Sequence, residues 1–513
     1  MSNQSSNNNK RIAKNTLLLY FRMFLMMAVS LYTSRVVLNT LGVEDYGIYN
    51  VVGGVVAMFG FLNSAMSAAT QRYITVDLGK GDMGQLQKTF SISLQIHTLI
   101  SVVLVILAET IGLWFLYHKM VIPAERMDAA LWTYQCAIIA AVIMVMSVPY
   151  NSDIIAHEKM SAFAYISVLE GLLKLAIVYL LLVFSADKLI LYSILIVAVQ
   201  LLIRFCYSWY CNKHFPETHY LHVTDWKVFK EMLNFAGWNL FGNVAYVTFS
   251  QGLNILLNMF FGPVVNAARA VSLQVQSAIQ QFVFNFQMAL NPQIMKSYAE
   301  GNIAYMHSLI YRSAKFSFFL LLLLSLPVLI DTNYILTLWL KTVPENTVVF
   351  LRIILVTSLI TALSNPLANA AQATGTIRTY QSVVGGILLL ILPISYLCLK
   401  LGMPAYSVFI VHLLVECVAQ ASRLFILRNL INISLREYVF KVLFVVIVVS
   451  LLSLILPLSI YLVLGEGFIR FFTVCIMSVI SVCFFSYLIG LNEGERHFVV
   501  EKVVGVINKI KKS

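Results

Sequence analysis

Residues 438–463 read YVFKVLFVVIVVSLLSLILPLSIYLV, a run whose only charged side chain is Lys441. A membrane-spanning helix needs about 20 consecutive, mostly apolar residues. Only a helix satisfies every backbone N–H and C=O inside one such segment. The run is therefore read as a spanning helix. Working outward, residues 467–491 hold another, beyond the break at Leu464–Glu466. Twelve more precede them, at about 15–38, 46–70, 89–116, 127–149, 162–184, 189–211, 231–258, 263–290, 312–330, 347–372, 379–399 and 404–427.

The composition can supply them. Of 513 residues 60% are hydrophobic and 11% charged, and the mean hydropathy is +0.83. A soluble domain carries about 25% charged residues. The apolar runs also lack the short alternating segments of an outer-membrane barrel. The fold class is an all-α polytopic membrane protein of about 14 transmembrane helices.

The net charge of +12 suggests either nucleic acid or the basic cytoplasmic loops of a membrane protein. The distribution decides for the loops. With the N-terminus inside, twenty-four of the 35 lysines and arginines fall in inside segments. Six fall outside: Lys119, Arg126, Lys188, Lys341, Lys400 and Arg470. This bias places both termini in the cytoplasm and implies no nucleic-acid partner. The polar start Met1–Asn9 precedes a first apolar run too long for a cleaved signal. The tail Glu495–Lys512 sets Phe498, Val503, Val504, Ile507 and Ile510 opposite lysines. It either lies on the inner leaflet or is simply solvated. The seven cysteines lie in apolar stretches without metal-ligand spacing, and no disulfide is expected.

A weak internal repeat is visible. Leu38-Asn39-Thr40-Leu41-Gly42 is echoed by Leu257-Asn258-Met259-Phe260-Phe261-Gly262, and Gly79-Lys80-Gly81-Asp82 by Ala299-Glu300-Gly301-Asn302. Six helices separate the copies, so both halves enter the membrane from the same side. Two parallel six-helix repeats follow, an architecture in which substrate passes between halves. The expected units are 15–211, a cytoplasmic linker 212–230, a second bundle 231–427, helices 13 and 14 over 438–491, and a basic tail 492–513.

Polar residues inside a membrane are costly unless they face protein or water. In the eighth helix, Arg269, Gln276, Gln280, Gln287 and Asn291 keep to one stripe, while Gln274, Gln281 and Asn285 lie on another face. The seventh carries Asn239, Asn243, Ser250, Asn254 and Asn258, the first Asn15, Arg22 and Thr33, and the second Asn63, Ser67 and Thr70. Each amide alone reads as an interhelical hydrogen bond. Four stripes at the starts of both repeats point to a hydrated cavity. Arg35 and Arg352, near outer helix ends, read as interfacial, and Glu170 with Lys174 as a neutralised i,i+4 pair. Glu109 and Glu416 read as isolated intramembrane carboxylates and candidate proton carriers. No metalloprotease, phosphate-loop or serine-hydrolase motif is present. His97, His157 and His412 have no convergent partners at useful spacing, so neither enzyme activity nor a metal or other cofactor is expected.

Leu41-Gly42-Val43-Glu44-Asp45-Tyr46-Gly47-Ile48-Tyr49 resembles the LG…YG.Y segment of Wzx-like polysaccharide-unit flippases. Ser64-Ala65-Met66-Ser67-Ala68-Ala69-Thr70-Gln71-Arg72-Tyr73 resembles the close of their second helix. These flippases belong to the multidrug/oligosaccharidyl-lipid/polysaccharide exporter superfamily, which makes the expected fold MATE-like. The resemblance covers the whole chain in helix count and is specific over about residues 35–90. It implies translocation of undecaprenyl-pyrophosphate-linked sugars across the bacterial inner membrane by alternating access. It also implies a cationic cavity of helices 1, 2, 7 and 8, to which Arg22, Arg35 and Arg269 correspond by helix location. Cations would meet the diphosphate, and the Asn and Gln stripes the sugar hydroxyls.

The implied partners are a lipid-linked oligosaccharide, membrane lipids and other polysaccharide-assembly membrane proteins. A lipid II flippase or a multidrug extruder of the same superfamily are the neighbouring readings. Drug extruders usually carry an acidic site in the first half, whereas the first helix here has arginines and no carboxylate. A membrane polysaccharide polymerase or ligase is disfavoured by short outer loops.

Overall fold

The structure is a computed structural model. It describes residues 15–496 except 30–31, 34–35, 38–39, 42–44, 46–47, 50–51, 53–59, 120–121, 184–186, 223–224, 262 and 341–342. Among the described residues the long helices follow the order read from the sequence, with a further short helix, Thr332–Leu340, between the ninth and tenth of them. They are α1 (Asn15–Val29), α2 (Gly60–Lys80), α3 (Met83–His118), α4 (Ala124–Ala156), α5 (Met160–Val183), α6 (Lys188–His214) and α7 (Trp226–Phe261). Then come α8 (Pro263–Ala299), α9 (Ile303–Ile330), α10 (Thr347–Thr374), α11 (Arg378–Lys400), α12 (Ser407–Ile431), α13 (Leu435–Val463) and α14 (Phe468–Gly490). Eleven of these are long and apolar enough to cross a membrane. α2 and α8 have the length but are too polar for that test, and α1 is short over its described residues.

The outward faces explain the hydropathy. Along α13, Ile447, Leu451, Ile455, Leu458 and Leu462 are exposed at helical spacing, while Val446, Val449 and Ser453 are buried. A water-soluble helix would present polar groups there. The chain is a multi-pass membrane protein.

Several helices outrun the lengths read from hydropathy. α8 has 37 residues and α7 has 36, about 55 Å at 1.5 Å per residue, against about 30 Å of hydrocarbon. Residues 71–80, read as loop, continue α2, because nothing breaks the helix before Gly81 at φ +75°. Hydropathy marks where lipid ends; a helix ends only where its caps or breakers stand. Asp82 then caps α3, accepting a hydrogen bond from the Gln85 amide at 2.9 Å.

Two compact units divide the chain. One comprises Met1–Val244, Met288–Asn302 and Gly375–Arg378; the other comprises Ala245–Gln287, Ile303–Thr374 and Thr379–Ser513. In the first, Ile74, Phe90, Tyr150, Ile154, Val178 and Tyr207 belong to one core cluster. A second cluster joins Leu104, Ala130, Tyr134 and Leu189. Most of the Leu41–Tyr49 motif lies outside the described residues. Its Asp45 is described, and accepts from Arg126 Nε at 2.8 Å and Nη2 at 2.6 Å. Arg126 also binds Asp187, 2.5 Å away, and holds that carboxyl below its ordinary range. In the second unit, Arg470 pairs with buried Asp331 at 2.8 Å. Glu495, read as part of an amphipathic tail, is instead buried beside Arg312 and Lys315, at 3.1 and 3.5 Å. The rest of that tail, with Phe498, Val503, Val504, Ile507 and Ile510, lies outside the described residues.

The echoing turns of the repeat share a backbone. Gly81 at φ +75° and Gly301 at φ +73° both close helices in the left-handed region, where glycine avoids a Cβ penalty. The helix ends before them pack together inside the first unit. A Cβ on Gly79 would stand 2.8 Å from Ala299 Cβ and 3.1 Å from the Lys296 carbonyl. Gly79→Ala should force these ends apart and destabilise the protein by about 1–3 kcal/mol. A melt of the detergent-solubilised protein that matches the parent would show that the approach is not tight.

Candidate functional site

In the second unit the site begins with Arg269, 8% exposed on α8. Its Nη2 donates to the Ser250 carbonyl at 2.8 Å and lies 3.4 Å from Ser250 Oγ, and Nη1 reaches Asn254 Oδ1 at 3.5 Å, all on α7. Nε has no acceptor among the described residues, and no carboxylate pairs with the guanidinium there. A buried cation held by neutral oxygens keeps its charge uncompensated, and so keeps its attraction for an anion.

The rest of the first α8 stripe mainly ties helices together. Gln276 donates to Ser358 Oγ at 2.8 Å, and Gln287 donates to Ser317 Oγ at 2.9 Å while accepting from Asn365 at 3.0 Å. Gln280 is half-buried. The second stripe is the more open one: Gln274, Ser277 and Gln281 are exposed, although Asn285 is buried against the Gln281 carbonyl at 3.0 Å. Exposed amides on a membrane helix belong against water, because lipid offers them no partner. The sequence pattern showed both stripes, and only packing separated their roles. On α7, Asn239 is buried while Asn243 and Asn254 are half-buried.

Glu416 is not isolated. Arg423, two turns along α12, pairs with it at 2.7 Å, and Ser364 donates to it at 3.2 Å. Spacing of i,i+7 returns a side chain to the same helix face, a partner that an i,i+4 search passes over. Glu109 is half-buried within a π-helical turn of α3, Ala108–Gly112, and makes no ion pair among the described residues. Such turns recur at functional positions.

In the first unit Arg22 of α1 lies over the Phe163 ring, 4.6 Å from its centroid, within electrostatic reach of Glu170 and Tyr207. It too makes no ion pair within 4 Å among the described residues, and its Nε lacks an acceptor. Glu170 is taken by Lys174 at 2.6 Å and Gln200 at 3.1 Å. Asn15, on the face shared with Arg22, donates to the Glu158 carbonyl at 3.2 Å. Arg35 and the Asn63 side chain lie outside the described residues. Arg352 donates to Thr332 Oγ1 at 3.0 Å and the Ile330 carbonyl at 3.2 Å, so it caps the end of α9.

Two features escaped sequence reasoning. Arg204 donates to the Met146 carbonyl and stands over Tyr150, a structural anchor. His157, read as lacking partners, meets Glu217 at 2.5 Å and Asp153 at 3.8 Å. Asp153 at i−4 was legible; Glu217 comes from beyond α6.

No protein-family model and no curated protein matches the sequence. Solved structures do match in fold. One is an outward-facing multidrug resistance MATE family transporter of the MOP superfamily, with 15% identity, 83% of this chain and 96% of that chain covered, and TM-score 0.71. The MATE transporter ClbM, in complex with Rb+, matches at 16% identity over 83% and 96%, with TM-score 0.65. A MOP superfamily transporter from Pyrococcus furiosus, whose reverse polarity of the binding pocket suggests a different function, matches at 14% over 83% and 96%, with TM-score 0.64. The chain is an all-α, multi-pass membrane protein with the fold of the MATE transporters.

Proposed function

We propose that the protein is a transporter that flips undecaprenyl-pyrophosphate-linked oligosaccharide units across the bacterial inner membrane by alternating access. The observation that carries this reading is Arg269 in the second unit, a buried guanidinium without a carboxylate partner among the described residues. Arg22 in the first unit, with no ion pair within 4 Å there, is a separate cation of the same kind. A diphosphate supplies the missing anion, and exposed Gln274 and Gln281 offer amides to sugar hydroxyls. The multidrug reading has the fold in its favour, but a cationic drug would be repelled by an uncompensated guanidinium such as that of Arg269. The Pyrococcus furiosus relative in fold is a precedent for a pocket of the other polarity.

The direct test is complementation of a flippase-deficient strain, with transport of lipid-linked sugar measured in proteoliposomes. Export of cationic dyes without any flipping would transfer the protein to the multidrug class. The same reading places both termini in the cytoplasm. Single cysteines at Asp45, Lys188 and Glu466, in a cysteine-free background, should label from outside intact cells, and those at Lys80 and Lys227 should not. Labelling at position 80 would overturn that orientation.

A further inference from the structure

At the end of α4 the chain gathers Asp153, His157 and Glu217, with one donor atom of each lying within 4.8 Å of the others. Asp153 is fully buried and Glu217 is 2% exposed. His157 Nε2 lies 2.5 Å from Glu217 Oε1 and 3.8 Å from Asp153 Oδ1. Its ring is stacked flat on Phe215, centroids 4.0 Å apart, which fixes the direction of Nε2. Neither Asp153 oxygen accepts a hydrogen bond among the described residues, and Glu217 Oε2 has none either. Two carboxylates thus sit in the interior at a helix C-terminus, where the peptide dipoles are already negative, and one imidazole cannot balance both. Buried carboxylate oxygens without donors call for a cation.

We propose that Asp153, His157 and Glu217 form a binding site for one divalent transition cation of the zinc or manganese class. The donor set selects it: imidazole nitrogen suits zinc, carboxylate oxygen suits manganese, and both ions accept the mixture. Metal–ligand bonds of about 2.0–2.2 Å put tetrahedral donors about 3.4 Å apart. The Asp153–His157 separation is close to that value. The His157–Glu217 contact opens by about 1 Å on binding, through rotation of the Glu217 side chain. The ion clamps the end of α4 to the short turn Pro216–Thr218 that follows α6. The site is independent of the arginines and of the transport reading.

The test uses tag-free, full-length protein in detergent, stripped with chelator, and titrated separately with zinc and manganese chloride by calorimetry and thermal melting. One saturable site per chain is expected for at least one ion, with the melting temperature raised by several degrees and no such response to magnesium. Asp153→Asn and His157→Gln should each weaken binding by more than the roughly ten- to hundredfold that loss of an outer-shell partner costs. Metal-free Asp153→Asn should melt no lower than the parent, because it removes a buried charge without a donor. Absence of saturable binding by either ion in the parent protein would overturn the proposal, whatever the variants do. Binding that is unchanged in both variants would overturn it equally.

Discussion

Arg269→Ala and Arg269→Gln are expected to abolish complementation while the protein still reaches the membrane. A charge-assisted contact to phosphate is worth about 1.5–3 kcal/mol, so losing one should weaken binding of a pyrophosphate-linked substrate by about ten- to a hundredfold. Arg269→Lys should retain part of the activity, since lysine keeps the charge but not the two-pronged geometry. The side chain also links α8 to the Ser250 carbonyl on α7. Membrane level and melting temperature must therefore be measured beside transport. If only packing mattered, Lys and Gln would fall together with the melting temperature. If the charge matters, Lys stands above Gln at equal stability. A normally expressed, fully active Arg269→Gln would remove this residue from the substrate path and leave the claim to Arg22.

The second large effect is expected at the Glu416–Arg423 pair. Both side chains are nearly inaccessible, 4% and 7% exposed, and Ser364 bridges them, accepting from Arg423 at 2.9 Å. Arg423→Ala would strand a carboxylate in the interior, and breaking a buried pair from one side costs about 3–5 kcal/mol. Arg423→Met combined with Glu416→Gln should recover most of that loss, because no unpaired charge remains. Denaturation of the purified protein in detergent measures both. The pairing also bears on coupling. Glu416 is already tied to Arg423 and Ser364, so Glu109, in its π-helical turn and without an ion pair among the described residues, is the better candidate carrier. Proteoliposome transport with unchanged pH dependence in Glu109→Gln would remove it.

The chain by itself determined the all-α class and the order and approximate positions of the long helices, because about twenty apolar residues have one low-energy solution in lipid. It also determined that α8 is unusually polar and that Glu170 faces Lys174, since both depend only on helical spacing. Where the helices end was not legible from hydropathy, as α2 shows by continuing to a left-handed glycine. Tertiary structure alone decided which α8 stripe binds neighbouring helices and which stays more open, because both faces carry amides in sequence. It alone brought Ser364 of α10 onto the Glu416–Arg423 pair of α12, and Glu217 onto His157 sixty residues away. Such partners are brought together by packing between helices, and local periodicity carries no record of which helix a given face will meet.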